Sequence, residues 1–204
     1  MSKALENPVP ETSGAPHVRP AQVGDICVLL EPTDAQEINQ LRQRQVALQA
    51  RFGGVPIEHV HLTCQRFACQ DKGLLGAFVQ NLSRALEPLE PFPLTAIALK
   101  TRHVSFRQTN ILKWEIQVTQ DLKGFVARVE QALMAAGIAP LYRSGFVSSQ
   151  VTALKDVPEP GPGDLAAEVF PQHLFAADRV VLSRIHGPNA FEILFEMRLK
   201  TEKA

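Results

Sequence analysis

A strand, helix, strand succession that occurs twice, at nearly equal length, constrains this sequence more than any other feature. The first copy runs from Ile26 to Thr63 and the second from Ile111 to Thr152. In the first, "DICVLLEP" reads as an apolar strand. Thr33 with Gln36 then supplies a capping-box signature for a helix that turns Ile38, Leu41, Leu48 and Phe52 inward, and Gly53 and Gly54 end it. In the second, "NILKWEIQV" is the strand, and a helix begins after Thr119. Leu122, Phe125, Val126, Val129 and Leu133 form its stripe, Gly137 stops it, and "FVSSQVTALKD" closes the copy as a strand.

The remaining elements surround these copies. Asp71 caps a helix with the stripe Leu74, Leu75, Phe78, Val79 and Leu82. "LTAIALKTRHVSF" pairs with "NILKWEIQV" as a hairpin through a polar turn at Arg107 to Asn110, and "RVVLSRI" pairs with "AFEILFEMRL" through "HGPN". Residues 1–23 are rich in Pro and small polar residues without periodicity and read as a flexible tail, which leaves 24–204 as one domain.

The stretch "EHVHLTCQRF", residues 58–67, alternates His59, His61, Thr63 and Gln65 with Val60, Leu62 and Cys64. On a strand that pattern makes a polar face backed by an apolar one. Superposing the two copies sets "HVHLT" on "SSQVT", so His59, His61 and Thr63 match Ser148, Gln150 and Thr152. Two lobes packed about a pseudo-two-fold would turn both polar faces into one cleft, a usual place for a ligand.

Composition narrows the partners. With 204 residues, 45% of them hydrophobic, the chain can bury a real core. Its 21 Lys and Arg balance 21 Asp and Glu, so no global field attracts long nucleic acid, and a small nucleotide or short RNA end is the favoured polyanion. Cys27, Cys64 and Cys69 lack paired metal-ligand spacing and read as buried thiols of a reducing compartment, without disulfide or metal. No apolar run is long enough to span a membrane and no signal region opens the chain, which predicts a cytoplasmic protein and no membrane partner. A monomer without cofactor is expected.

His61-Leu62-Thr63 on the second strand of a repeated strand-helix-strand lobe, "ILKWEI" ahead of a long helix and the closing hairpin together resemble the 2H phosphoesterases. That superfamily includes bacterial 2'-5' RNA ligase (LigT-like) proteins and RNA 2',3'-cyclic phosphodiesterases. The resemblance covers roughly residues 24–200 and lies in element order more than in identity. His103-Val104-Ser105 repeats the tripeptide elsewhere, so position in the topology carries the likeness. It implies an α+β, bilobal fold with two mainly antiparallel sheets around a central cleft. It also implies two facing His-x-Thr/Ser motifs: one imidazole deprotonates the attacking water or hydroxyl, the other protonates the departing ribose oxygen, and the hydroxyls hold phosphate oxygens. Histidine suits both tasks because its pKa of about 6.5 keeps either form accessible.

Carried onto this chain, the resemblance makes His61 the proton-transfer group and Thr63 and Thr152 the phosphate ligands, with Gln150, Ser148 and His59 beside the substrate. Gln150 stands where the second histidine belongs, and an amide cannot exchange a proton. Three readings follow. Another group, such as His59 roughly 7 Å from His61 along a strand or His103 in the hairpin, supplies the proton. Alternatively His61 acts alone as a weak cyclic phosphodiesterase or RNA ligase-like enzyme. In the third, the cleft is a catalytically silent nucleotide- or RNA-end-binding module. An unrelated α+β protein with an accidental repeat stands outside all three.

Each residue also has a plain structural reading. His59 and His61 fit an open strand face, and Thr152 and Gln150 are ordinary strand residues. Arg102, Arg107 and Arg143 suit phosphate forks but read first as surface arginines. Trp114 reads as core, and His173, inside the connection 156–177, as part of an irregular surface insertion.

Overall fold

The computed structural model describes residues 19, 21–104, 109–159, 164–187 and 190–200. The turn predicted at 107–110 lies largely outside these residues, as do Ser105, the centre of the closing "HGPN" turn and most of the predicted tail. Within the tail stretch, Arg19 pairs with Asp25.

Two antiparallel sheets carry the fold. The first has strand order β3-β1-β8-β9, formed by β1 (Asp25–Glu31), β3 (Leu62–Ala68), β8 (Arg179–Gly187) and β9 (Ala190–Arg198). The second has order β2-β6-β5-β4-β7, from β2 (Val55–Pro56), β4 (Phe92–Val104), β5 (Thr109–Ile116), β6 (Gln150–Val157) and β7 (Gln172–Ala177). Both predicted hairpins form, β4 with β5 and β8 with β9. The two copies of the repeat are β1-α1-β3 and β5-α3-β6, with α1 at Ala35–Phe52 and α3 at Gln120–Ala135.

The helices bury the greater part of the predicted stripes, leaving Ile38, Leu75 and Val79 half-buried. All five apolar residues predicted for α3 are buried, and its N-cap is Thr119, whose side chain accepts from the Leu122 amide. Asp71 caps α2 (Lys72–Leu86) by accepting from Gly73 and Leu74, and Phe78, Leu82 and Leu86 face the core while Leu74 is exposed. The cap of α1 is Asp34, one residue past the expected Thr33; its carboxylate accepts from the Glu37 amide, and the Thr33 hydroxyl donates to Asp178.

Each repeat's helix crosses to the other repeat's sheet. α1 lies against β2, β6 and β7, where buried Gln45 donates to the carbonyls of Ile57 and Ala153; α3 lies against α2 and β3. The crossing knits both lobes into one apolar core containing Trp114, Phe67, Phe78, Phe125 and Phe175. The connection 156–177 is not irregular throughout. Its end is edge strand β7, paired with β4, and His173 on that strand meets Glu37 of α1 at 2.8 Å.

Candidate functional site

Residues opposed in an antiparallel pair share a sheet face, so the registers assign the faces. In the first sheet Thr63, Leu29 and Val181 form one row, and Arg66, Cys27, Ser183 and Ile193 the next. This face carries the small cluster Cys27, Leu29 and Val181, separate from the main core. His61, just before β3, lies over it, its ring 6.5 Å from that of Phe191. In the second sheet Thr152, Lys113 and Lys100 form one row, Gln150, Glu115 and Ala98 another, and Ile111 lies opposite Arg102.

The two faces converge. β3 lies against β6, and the charge of Lys155 on β6 bears on His61. Tyr142 bridges them: its ring stacks under the Arg66 guanidinium at 5.7 Å, and its phenol, pushed up to about 12 chiefly by burial, feels Cys27 and Arg66 from one sheet and Arg102 from the other. His61 and Thr63 therefore lie on the face of the first sheet that carries the small cluster, and Gln150 and Thr152 on the Lys113 and Glu115 face of the second.

The alternation expected through residues 58–67 is corrected in two respects. The strand begins only at Leu62, and His59 sits exposed in a bend before it. A bulge then intervenes, because Leu29 pairs with Thr63 while Val28 pairs with Gln65, which inserts Cys64. Beyond it the faces exchange. Gln65, expected beside Thr63, is fully buried on the helix side, where it reaches Glu130 of α3 and accepts from the amides of Arg66 and Tyr142. Arg66 takes the cleft face and pairs with buried Asp25.

His61 is poised in one protonation state. Its Nδ1 lies 2.9 Å from the His59 carbonyl oxygen, which can only accept, so Nδ1 carries the proton and Nε2 the lone pair. Burial lowers its pKa below the usual histidine value, partly opposed by that hydrogen bond and by Glu31. At neutral pH it is a neutral imidazole able to accept a proton.

Other sequence candidates fall differently. His59 lines a small cavity of about 110 Å³ with Glu31, Ile38, Arg42, Glu58 and Arg179. Ser148 is half-buried just ahead of β6, outside the strand. His103 is exposed and meets Asn110 at 3.2 Å; it follows Arg102 and so points to the opposite face of β4. Arg143 is exposed, and Trp114 is buried in the core. Sequence reasoning missed Lys113, Arg66, Tyr142 and Lys155. The signal for Lys113 lay in "ILKWEI", where Leu112, Trp114 and Ile116 go inward and Lys113 must go the other way.

Among the described residues no cluster of three or more His, Cys, Asp and Glu side chains could hold a metal, and no helix is long and apolar enough to cross a membrane.

Two antiparallel sheets in this order, with β3 and β6 as the closing strands of the two repeats, make this a LigT-like fold. The chain superposes on E. coli LigT in its apo form with a TM-score of 0.56 at 13% identity, covering 89% of this chain and 100% of that one. A structure described as a phosphoesterase gives 0.56 at 12% identity, and TT0787 of Thermus thermophilus gives 0.56 at 17%, each covering 88% of this chain and 100% of the other. E. coli LigT has also been solved with ATP, with 3'-AMP and with NADP+. No family model and no curated protein matches the sequence.

Proposed function

We propose that this protein performs 2H-type phosphoester chemistry on a nucleotide or RNA end bearing a 2',3'-cyclic phosphate or a 2'-5' linkage. His61 is the general base, and Thr63 and Thr152 hold non-bridging phosphate oxygens from the two walls. The observation that carries this reading is the state of His61: Nδ1 is committed to the His59 carbonyl, and burial keeps the ring neutral, so Nε2 is a base above the Thr63 wall. The nucleotides found with E. coli LigT, which shares the fold, support a nucleotide as ligand.

The test is turnover of 2',3'-cyclic AMP by the wild-type protein and by His61→Ala, with 3'-AMP binding followed in both. Loss of the base should lower turnover about 10²-fold or more while the melting temperature and circular dichroism stay unchanged. Full activity in His61→Ala would place the chemistry elsewhere. Gln150, which binds without titrating, favours a second reading, a silent nucleotide- or RNA-end-binding module. Binding of 3'-AMP without turnover by the wild type identifies that case.

A further inference from the structure

The second wall holds a cation whose setting the fold alone does not explain. Lys113, central in β5, is half-buried, and among the described residues no carboxylate pairs with it at salt-bridge distance. Glu115, two residues on and on the same face, is taken by Lys100 at 2.6 Å. The Lys113 Nζ instead donates to Oε1 of Gln150 at 3.3 Å, at the position of the absent second histidine, and its Cα is in register with Thr152. A desolvated ammonium without a counter-ion costs stability, and its location beside both second-motif residues suits an anionic ligand with a proton to be moved.

Resting on the phosphoester reading above, we propose that Lys113 takes the place of the second histidine: its ammonium touches the departing ribose oxygen and protonates it as the P–O bond breaks. The water oxygen attacks phosphorus while Nε2 of His61 takes its proton. The bond from phosphorus to one ribose oxygen breaks, the electron pair stays on that oxygen, and Lys113 delivers the proton to it. The product is a nucleoside monophosphate with one free hydroxyl. His61 is left protonated and Lys113 neutral, and exchange with solvent resets both.

The surroundings suit an acid. Desolvation first, and the Arg102 charge second, bring the amine down to about 8. The charged groups facing it are Arg102 and Lys100 on β4 and Glu115 on its own strand, the last two paired together; β6 offers only neutral Gln150 and Thr152 beside it, with Lys155 further along toward His61. An ordinary lysine, with a pKa near 10.4, surrenders its proton less readily. At neutral pH the base is imidazole and the acid is ammonium, so both working forms coexist.

The test compares wild type, Lys113→Met, Lys113→Arg and His61→Ala on 2',3'-cyclic AMP and on bis(para-nitrophenyl) phosphate, whose leaving group departs unprotonated. Turnover is followed across neutral and alkaline pH, with 3'-AMP binding measured for each protein. Both Lys113 variants should lose about 10²- to 10⁴-fold on the cyclic nucleotide and less than about tenfold on the aryl ester. The fall of wild-type kcat/KM above about pH 8 should disappear in both. Lys113→Arg keeps the cation, so its loss separates proton donation from charge and from folding. Retained cyclic-nucleotide turnover in Lys113→Met, or an equal loss on both esters, overturns the assignment while inactive His61→Ala leaves the phosphoester reading standing. A wild type that binds 3'-AMP without turnover overturns the catalytic roles of both residues, and one that neither binds nor turns over overturns the phosphoester reading and Lys113 with it.

Discussion

The Nζ of Lys113 donates to Oε1 of Gln150 across neighbouring strands β5 and β6, so the amide at the position proposed for the second motif is hydrogen-bonded to an amine brought down to about 8. The pair is a candidate division of labour: the amide positions, the amine exchanges the proton. It also changes what a histidine at position 150 is expected to do.

If Lys113 already supplies the acid, Gln150→His alone should change turnover of 2',3'-cyclic AMP by less than about tenfold. In the Lys113→Met background the same substitution should recover about 10²-fold, because an imidazole returns a titrating group to the vacated place. The four proteins form a double-mutant cycle, and additive effects across it would show that the two side chains do not share a task.

Lys113 also makes stability depend on pH with a definite sign. Its pKa is about 8 in the folded protein and near 10.4 in an unfolded chain. Between these values the unfolded state binds more protons, so the lysine's contribution to stability rises with pH. It is complete above the unfolded value and lost as pH falls through about 8. Urea midpoints of wild type minus Lys113→Met should therefore climb between about pH 8 and pH 9.5, and a flat difference would mean the amine is not desolvated.

Much of the fold was legible because helix periodicity and capping are local. Thr119, Asp71 and the α3 stripe are all where the sequence puts them. The polar wall was legible only as far as Thr63, because one inserted residue at Cys64 reverses every later side chain on β3. That bulge comes from pairing with β1, which no local pattern encodes. Lys113 is hidden for another reason: the pattern of its strand announces the buried Trp114, while its hydrogen bond to Gln150 joins residues distant in sequence.

The buried side of the bulge yields its own prediction. The Gln65 Oε1 accepts from the amides of Arg66 and Tyr142, both at 2.9 Å, and its Nε2 reaches Glu130. Gln65→Leu leaves those donors and the Glu130 carboxylate short of partners in the interior and should cost about 1–3 kcal/mol. It also loosens Tyr142 against Arg66, so a fall in the denaturant midpoint should accompany weaker 3'-AMP binding. Unchanged stability would show that the network relaxes without loss.

Phe191 offers an apolar surface beside His61. It is 50% exposed on β9, edge-on to His61, with Ile193 exposed on the same face. A nucleobase stacked there would make Phe191→Ala weaken 3'-AMP binding by about 1–3 kcal/mol, without moving the acidic limb of the pH profile that belongs to His61. Calorimetric titration of both proteins measures it, and equal affinities would remove Phe191 from the ligand's reach.

Gly54, just ahead of β2, leaves no room for a side chain. Gly54 has φ of +84°, and a Cβ there would meet the Lys155 carbonyl oxygen at 2.6 Å and Cγ2 of Val157 at 2.8 Å. Neither the backbone oxygen nor the buried valine can yield cheaply, so Gly54→Ala should cost about 1–3 kcal/mol through strain alone. Relief would come from parting β2 from β6, where Val55 pairs with Lys155, and β2 is followed one residue later by the bend at Glu58 and His59 that precedes His61. A lower melting temperature together with a raised KM for 2',3'-cyclic AMP is the expected result. A variant destabilised with an unaltered KM would mean that the bend is held by its own contacts, chiefly the His61 to His59 hydrogen bond, and not by the edge strand before it.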